Sequence, residues 1–344
     1  MSKPYISVVI PAHNLGHKGD YAIKISLNSL KEQTFSNYEI LIIENGSDDD
    51  TLQIAKSYAE NDRRIKIHQL DIRGVSNARN ERIKHALGEF IFFLDGDDSI
   101  SPDFLESGYN ILNQDPNIAY VLMPISFYYH KTNKYHEILI FNDEISDIND
   151  KFLSRSICHR IIRTNILTSN NIFFNTTLTH GEDLIFSYEL FFVSKKAASS
   201  SKGTYLYHQN RHGQATKNLH NALSREIAPI NILKNIFMKY NVIQHKIPYI
   251  NSLYVQLITG SSFASTLINK MSMSSLYKEL NDNTNKDILL SIDVINNPIL
   301  NDWQKKWFKK FQDKLRVNIF KAVCLLKFMR IYKNVFIRML KMEP

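Results

Sequence analysis

The first hundred residues alternate between short apolar runs and amphipathic segments, and this alternation constrains the fold more than any other feature of the chain. Runs typical of buried strands occur at residues 6–10, 38–43 and 90–94, and residues 65–68 are predicted as a further strand. Helical spacing of apolar residues fills the intervals at about 21–33, 47–58 and 75–86. Strands joined by helices in this order predict a mostly parallel sheet with flanking helices, an α/β fold.

Polar side chains follow the predicted strands at their carboxyl ends, where open α/β sheets bind ligands. Glu44 and Asn45 follow the second strand, and Asp95, Asp97 and Asp98 follow the fourth. Two carboxylates one residue apart supply the hard oxygen ligands that Mg²⁺ or Mn²⁺ prefers, and such metals usually bridge a diphosphate. A solvated Asp-Gly turn without a ligand is the alternative interpretation of the second cluster.

Three further charged residues each admit two interpretations. Arg79 stands in the first turn of the helix predicted at 75–86, where free N–H groups favour anions. Its guanidinium suits either a phosphate of a ligand or an internal clamp on the Asp95 loop. Glu182 and Asp183 begin a later apolar helix, where acids stabilise the helix dipole. An acid there is also suited to act as a general base, and the local sequence does not decide between the two.

Beyond residue 105 the alternation loosens, and after about residue 219 the pattern is helical to the end. Strands are predicted at 120–129 and 205–207, with a helix at 181–192 between them. The sequence therefore predicts an α/β domain over residues 1–217 and an α-helical C-terminal region over residues 218–344.

The composition excludes several classes of protein. With 44% apolar and 22% charged residues, the chain is neither disordered nor collagenous. Its two cysteines, Cys158 and Cys324, make no disulfide framework or cysteine-rich zinc site, and they favour a reducing compartment. We expect no signal peptide, and no apolar stretch reaches the roughly 18 residues that span a bilayer.

The net charge of +8 is concentrated near the C-terminus. Residues 302–344 contain twelve Lys or Arg and three acids, a net charge of +9, so the rest of the chain is nearly neutral. This distribution argues against a nucleic-acid-binding protein. Apolar residues from Trp303 to Met329 are interleaved with basic ones, as in amphipathic helices on anionic membranes. A helix packed on protein with a solvated basic face is the alternative.

Six short motifs follow one another along the chain: Pro11-Ala12-His13-Asn14, Glu44-Asn45-Gly46-Ser47, Gly74-Val75-Ser76-Asn77-Ala78-Arg79-Asn80, Gly88-Glu89, Asp95-Gly96-Asp97-Asp98 and Gly181-Glu182-Asp183. Their order and spacing over about residues 5–215 resemble the family 2 glycosyltransferases of the GT-A fold, of the type that builds bacterial polysaccharides and lipo-oligosaccharides. The resemblance implies a Rossmann-like catalytic domain over 1–217 and inverting transfer of a hexosyl or N-acetylhexosaminyl group from a nucleotide-sugar.

The resemblance also implies roles for individual residues. Asp95 and Asp97 would hold the divalent metal, Mn²⁺ or Mg²⁺, with Asp95 also at the diphosphate. Asp183 would be the catalytic base, with Glu182 beside it. The residues expected at the nucleotide are Pro11, His13, Asn14, Glu44, Asn45 and Arg79.

Two positions depart from the family pattern. Asn45 stands where the family commonly has an acid that accepts the uracil N3–H, and an amide both donates and accepts. His208 stands where an Arg tends to follow the Tyr-x-Tyr segment. We expect His208 to complete the metal shell and Arg211, with His212, to close over the diphosphate. A flexible polar loop is the alternative.

The expected function is metal-dependent transfer of a sugar, from a UDP-sugar foremost, to a hydroxyl of a saccharide or lipid-linked acceptor. The basic tail would hold the enzyme at the cytoplasmic face of the cell membrane, with no nucleic-acid partner and with the oligomeric state open. The alternative is a noncatalytic or nucleotidyl-transferring protein on a similar fold. A nucleotidyltransferase is expected to carry a Gly-rich basic loop after the first strand, and residues 11–16 are not such a loop.

Overall fold

The computed structural model describes residues 3–17, 21–70, 74–130, 132, 134–154, 156–178, 180–209, 222–242, 273–281, 287–290, 292 and 302–317. The chain divides into two compact units. The first unit consists of Met1–Thr177 with Glu182–Gln214, and the second consists of Leu178–Gly181 with Ala215–Pro344.

The first unit begins with the predicted alternation of strands and helices. Its first strands are β1 (Ile6–Ala12), β2 (Tyr38–Glu44), β3 (Ile65–Gln69) and β4 (Phe90–Phe93), joined by α1 (Ala22–Lys31), α2 (Thr51–Asn61) and α3 (Val75–His85). These strands are parallel neighbours in the order β3-β2-β1-β4. Because the chain crosses from β3 back to β4, the direction of strand succession reverses beside β1, where ligands bind in such sheets.

The rest of the unit completes two sheets. The remaining strands are β5 (Ser99–Ile100), β6 (Ile118–Leu122), β7 (Ile125–Tyr129), β8 (Lys134–Leu139), β9 (Glu144–Asp147), β10 (Arg160–Arg163), β11 (Lys196–Ser199) and β12 (Tyr205–Gln209). The helices are α4 (Phe104–Leu112), α5 (Thr164–Ser169) and α6 (Glu182–Val193), with a 3-10 turn at Asp150–Phe152. The larger sheet has the order β3-β2-β1-β4-β10-β6-β11-β9, and the smaller has the order β5-β12-β7-β8.

The prediction of one strand over 120–129 is wrong, because the chain changes sheets within that range. β6 pairs with β10 in the larger sheet, and β7 pairs with β12 in the smaller one. The break lies at Met123 and Pro124. Proline has no N–H to donate to a ladder, while its carbonyl accepts a hydrogen bond from the Tyr205 N–H at 2.8 Å. This hydrogen bond connects β12 of the smaller sheet with the residues at which the chain leaves the larger sheet.

The described part of the second unit is helical, with α7 (Ala222–Lys239), α8 (Met273–Asn281) and α9 (Asp302–Val317). In α9 the apolar side chains of Phe308, Phe311 and Leu315 are buried within the protein. The expectation that the apolar face of the tail faces a membrane is therefore wrong for these three residues. The exposed side of the same helix carries basic side chains at 306, 310 and 314. Residues 318–344 lie outside the described part.

Within the described residues, no helix combines the length and the apolar character needed to cross a bilayer.

Candidate active site

The acidic loop lies directly after β4, at the switch point of the sheet. Gly96 makes the close approach of this loop to β1 feasible, because an added Cβ would stand 2.4 Å from Leu15 Cδ1 and 3.1 Å from the Pro11 carbonyl oxygen. The Asp98 N–H donates to the Asp95 carbonyl at 3.0 Å and closes the turn. The loop therefore presents its acids beside the end of β1.

The acids of this loop occupy different environments. The Asp95 side chain is 32% exposed, whereas Asp98 is fully buried. Asp98 accepts hydrogen bonds from the Tyr205 hydroxyl at 2.6 Å and from the His208 N–H at 2.8 Å. Burial raises the pKa of Asp98 well above its usual range, and the negative charges of Asp97 and Asp95 raise it further. Asp98 thus anchors the loop to β12, and Asp95 remains accessible.

Arg79 connects the loop with the acids at the start of α6. Its guanidinium lies 2.9 Å from Asp95 Oδ1, 2.9 Å from Asp183 Oδ1 and 3.4 Å from Glu182 Oε1. The side chain is only 4% exposed and lies over the ring of Phe174 at 5.1 Å. Arg79 could be interpreted as a phosphate contact or as an internal clamp on the Asp95 loop, and these contacts are those of a clamp.

The surroundings of Asp183 alter its ionisation strongly. Although 28% of its side chain is exposed, desolvation raises the pKa of Asp183 to about 7. The positive charge of Arg79 opposes this rise, while the negative charges of Glu182 and Asp95 add to it. A carboxylate with a pKa near 7 has the basicity expected of a general base at neutral pH.

A thiol that was not predicted from the sequence, that of Cys158, belongs to this cluster. The buried Cys158 Sγ donates to Asp95 Oδ2 at 3.1 Å, so Asp95 is held through both oxygens. Burial raises the pKa of the Cys158 thiol well above its usual range, which keeps the proton that the hydrogen bond requires. No local pattern indicates this contact, since Cys158 and Asp95 are 63 residues apart.

A second buried arginine lies in the same region. Arg160 is fully buried on β10, with its guanidinium 5.2 Å from the ring of Tyr120. Among the described residues, its Nε and Nη1 have no hydrogen-bond partner. Its positive charge also lowers the pKa of Asp183, after that of Arg79. Two guanidinium groups therefore favour the ionised form of the same carboxylate.

The residues expected at the nucleobase lie at the adjoining ends of β1 and β2. Glu44 is buried, and its carboxylate accepts hydrogen bonds from the Ser47 N–H and from Gln69 Nε2. Burial opposes its ionisation, but these hydrogen bonds outweigh the burial and lower the pKa of Glu44. Asn45 Oδ1 accepts the Gly74 N–H at 3.1 Å. This contact orients the Asn45 amide, whose N–H groups can still donate to a ligand.

Three other expected nucleotide residues stand at the end of β1. Pro11 belongs to the strand, and His13 follows it with an exposed side chain. Asn14 joins the ends of the two strands, because its N–H donates to Ser47 Oγ at 3.1 Å and its Oδ1 accepts the Asp48 N–H at 3.0 Å. Arg211 lies outside the described residues.

His208, expected as a metal ligand, reaches the acidic loop through its backbone N–H. Its ring nitrogens lie 2.8 Å from Ser99 Oγ and 2.9 Å from the His130 ring. In the described part of the chain, no three His, Cys, Asp or Glu side chains form a metal-holding group. The hard oxygens of Asp95 and Asp97 nevertheless fit the chemistry of Mg²⁺ or Mn²⁺, because they concentrate negative charge beside an accessible surface.

A mostly parallel sheet with paired acids at its switch point defines a GT-A protein. The sequence model of glycosyl transferase family 2 matches residues 7–187, and the chain belongs to this family of glycosyltransferase enzymes.

The chain is similar in sequence to the putative glycosyltransferase EpsH of Bacillus subtilis (strain 168). The identity is 28% over 222 residues, which are 62% of each chain. It is also similar to the poly(ribitol-phosphate) beta-N-acetylglucosaminyltransferase TarS of Staphylococcus aureus (strain MW2), with 26% identity over 60% of this chain and 36% of TarS. The chain thus matches less than two thirds of the length of either relative.

Solved structures share the fold. The crystal structure of S. aureus TarS 1–349 in complex with UDP-GlcNAc gives a TM-score of 0.74 at 17% identity, over 96% of this chain and 92% of that one. The mannosyltransferase PcManGT from Pyrobaculum calidifontis, in complex with GDP-Man and Mn²⁺, gives 0.52 at 14% identity, over 95% and 88%.

Proposed function

We propose that this chain transfers a sugar from a nucleotide-sugar, a UDP-sugar foremost, to a hydroxyl of a saccharide or lipid-linked acceptor, with inversion, in the synthesis of a cell-surface glycan. The observation that carries the proposal is the contact of one buried guanidinium, that of Arg79, with Asp95, Glu182 and Asp183. TarS solved with UDP-GlcNAc supports the choice of donor, and PcManGT solved with GDP-Man and Mn²⁺ supports a nucleotide-sugar used with a metal.

Asp183 is the general base in this proposal. Its carboxylate takes the proton of the acceptor hydroxyl as that oxygen bonds to the anomeric carbon and the bond from this carbon to the phosphate oxygen breaks. A pKa of about 7 leaves the group substantially ionised near neutral pH and still basic. Because one displacement inverts the carbon, no covalent intermediate on the enzyme is required.

Asp95 and Asp97 would hold the divalent cation, Mn²⁺ or Mg²⁺. When bound, the metal stabilises the negative charge that develops on the leaving nucleoside diphosphate. Arg79 and Cys158 each hold one oxygen of Asp95, so this carboxylate is oriented before the donor binds. Glu182 shares Arg79 with Asp183 and helps to fix the position of the base.

The nucleotide would bind across the ends of β1 and β2, against Pro11, His13, Asn14, Glu44 and Asn45. The hydrogen bonds of Asn14 hold these two strand ends together, and the bond from the Ser47 N–H to Glu44 closes the turn after β2. A preformed site of this kind limits the side-chain ordering that nucleotide binding requires.

We also propose attachment to the cytoplasmic face of the membrane through the basic C-terminal region. In α9 the contact would be electrostatic, because its apolar side chains Phe308, Phe311 and Leu315 are buried while its lysines at 306, 310 and 314 are exposed. Each Lys near an anionic surface contributes about 1 kcal/mol.

The test is release of nucleoside diphosphate from UDP-, GDP- and CDP-sugars, with and without EDTA. We expect turnover of a UDP-sugar that needs Mn²⁺ or Mg²⁺ and that Asp97→Ala abolishes. The exposed acid Glu60 on α2 supplies the matched control, since Glu60→Ala removes a carboxylate far along the sheet from the acidic loop. Full turnover by Asp97→Ala in chelator would contradict the proposal, and no turnover of any nucleotide-sugar would favour a binding protein.

A further inference from the structure

A cavity of about 680 Å³ lies beside the donor site, between β3 and α3. We call it the α3–β3 groove, and its walls include His68 and Gln69 from β3 and Asn77, Glu81, Arg82 and Lys84 from α3. Its volume is in the range of small-molecule sites. None of the roles assigned above uses this groove.

Arg82 is a buried cation with incomplete partners. The residue is 7% exposed, and among the described residues its Nε has no hydrogen-bond acceptor. Its nearest acid is Glu81, with 3.6 Å between Arg82 Nη2 and Glu81 Oε1. Glu81 Oε1 also lies 3.6 Å from His85 Nδ1. Because Nε is enclosed, a ligand in the groove would meet the Nη end of the guanidinium, where a negative charge would offset the cost of burying this cation.

The other acid that acts on Arg82 is already compensated. Glu39 accepts hydrogen bonds from Lys66 Nζ at 2.8 Å, from Ser7 Oγ at 2.6 Å and from the Leu87 N–H at 3.0 Å. Its carboxylate is therefore engaged by another cation and two further donors. Among the described residues, Glu81 is therefore the acid left to balance the charge of Arg82.

Several basic side chains lie around His68, which is one of the residues that line the groove. Burial lowers the pKa of His68, and the charges of Arg82, Lys66 and His85 lower it further, against a smaller opposite effect of Glu39. His68 itself lines the groove, together with the exposed Lys84. A ligand that binds there favourably carries negative charge.

We propose that the α3–β3 groove binds a phosphoryl group, held by buried Arg82 and exposed Lys84. The guanidinium and the ammonium donate charge-assisted hydrogen bonds to the phosphoryl oxygens. The side chains of Gln69 and Asn77 and the carboxylate of Glu81 line the remaining volume and suit hydroxyl groups. The ligand class is therefore a phosphorylated polyol or sugar, and the groove is separate from the place of the donor diphosphate.

The test follows the ring of His68 by NMR, in the full-length protein with ¹³C-labelled histidine and with the His68 signal assigned through His68→Gln. Inorganic phosphate and glycerol 3-phosphate are the probes, with sodium chloride at matched ionic strength as the reference. We expect saturable movement of the His68 signal and a raised pKa of this ring with either probe, but not with chloride. Glycerol 3-phosphate should bind more tightly than phosphate, because it also reaches the polar wall.

Arg82→Gln and Lys84→Gln should each weaken the apparent affinity about tenfold, as expected for loss of one charge-assisted contact. Lys56→Gln, an exposed lysine on α2, should leave it unchanged. Lys84 is exposed, so its variant decides the question if Arg82→Gln does not fold. The proposal would be overturned if chloride gave an equal response or if Lys84→Gln left the affinity unchanged. Loss of the response at saturating UDP would also overturn it, because it would assign the phosphate to the donor site.

Discussion

Arg79 Nη1 donates to Asp183 Oδ1 at 2.9 Å, across 104 residues of sequence. The same guanidinium donates through Nη2 to Asp95, so one side chain fixes the separation between the acidic loop and the start of α6. The distance between the acid that would meet the metal and the acid that would accept the proton is thus set by a planar, rigid group.

Arg79→Lys should reduce kcat by about 10²-fold, the order expected when reacting groups shift by about 1 Å. A lysine supplies one point charge and cannot bridge Asp95 and Asp183 with a fixed fork. Turnover of the UDP-sugar measures the effect, and calorimetry with UDP should show binding that changes far less. Arg63→Lys, at an exposed arginine, is the matched control. A wild-type kcat in Arg79→Lys would show that the clamp is dispensable.

The pH profile of turnover should report the ionisation of Asp183. Since the base acts unprotonated and its pKa is about 7, kcat/KM should rise with pH up to about 7 and level off above it. Asp183→Asn should lower kcat by about 10²-fold or more and remove this inflection, with UDP binding retained. An unchanged profile in Asp183→Asn would assign the base to another residue.

Asn45 predicts weak discrimination between nucleobases. Its Oδ1 accepts the Gly74 N–H, its amide N–H groups can donate to a base, and one neutral hydrogen bond contributes only about 1 kcal/mol. Calorimetric titration with UDP, CDP and GDP in the presence of Mn²⁺ measures the preference without the sugar. UDP should bind less than about 10³-fold more tightly than CDP, which corresponds to about 4 kcal/mol. A larger ratio would refute this role of Asn45.

Membrane binding should depend on charge on the exposed side of α9. Reversing Lys306, Lys310 and Lys314 to Glu together should reduce flotation with anionic vesicles at low salt, because each Lys contributes about 1 kcal/mol. The wild-type protein should float less at high salt, since screening weakens the contact. These substitutions leave the buried apolar side chains of α9 unchanged.

The matched control reverses three exposed lysines of the first unit, Lys31, Lys56 and Lys202. Flotation of this control should equal that of the wild type. Equal flotation of the α9 variant would exclude a contribution of this helix to attachment and leave residues 318–344 as the remaining basic segment.

The first half of the larger sheet could be predicted because its signals are local. The strands β1, β2 and β4 are mostly apolar runs, and the acid clusters follow β2 and β4 directly. The insertion of β10 between β4 and β6 could not be predicted, because Arg160–Arg163 is short, begins and ends with arginine, and is antiparallel to both neighbours. Tertiary packing determines which strands pair with each other, and a strand of four residues is too short to show this as a periodic pattern in the sequence.

The candidate site was likewise predictable only in part. Asp95, Glu182 and Asp183 were predictable as ends of elements, whereas the contacts of Arg79 and Cys158 with them depend on residues brought together from far along the chain. The buried face of α9 shows a related limit. A basic amphipathic pattern is the same whether protein or lipid covers the apolar side. The burial of Phe308 and Phe311 within the protein could therefore be learned only from the structure.

The burial of Asp98 divides the acidic motif into a part that faces a ligand and a part that belongs to the scaffold. Both oxygens of Asp98 accept hydrogen bonds inside the protein, from Tyr205 and from the His208 N–H. A divalent ion at this loop would therefore meet the carboxylates of Asp95 and Asp97, and the third acid would set the shape of the turn that presents them.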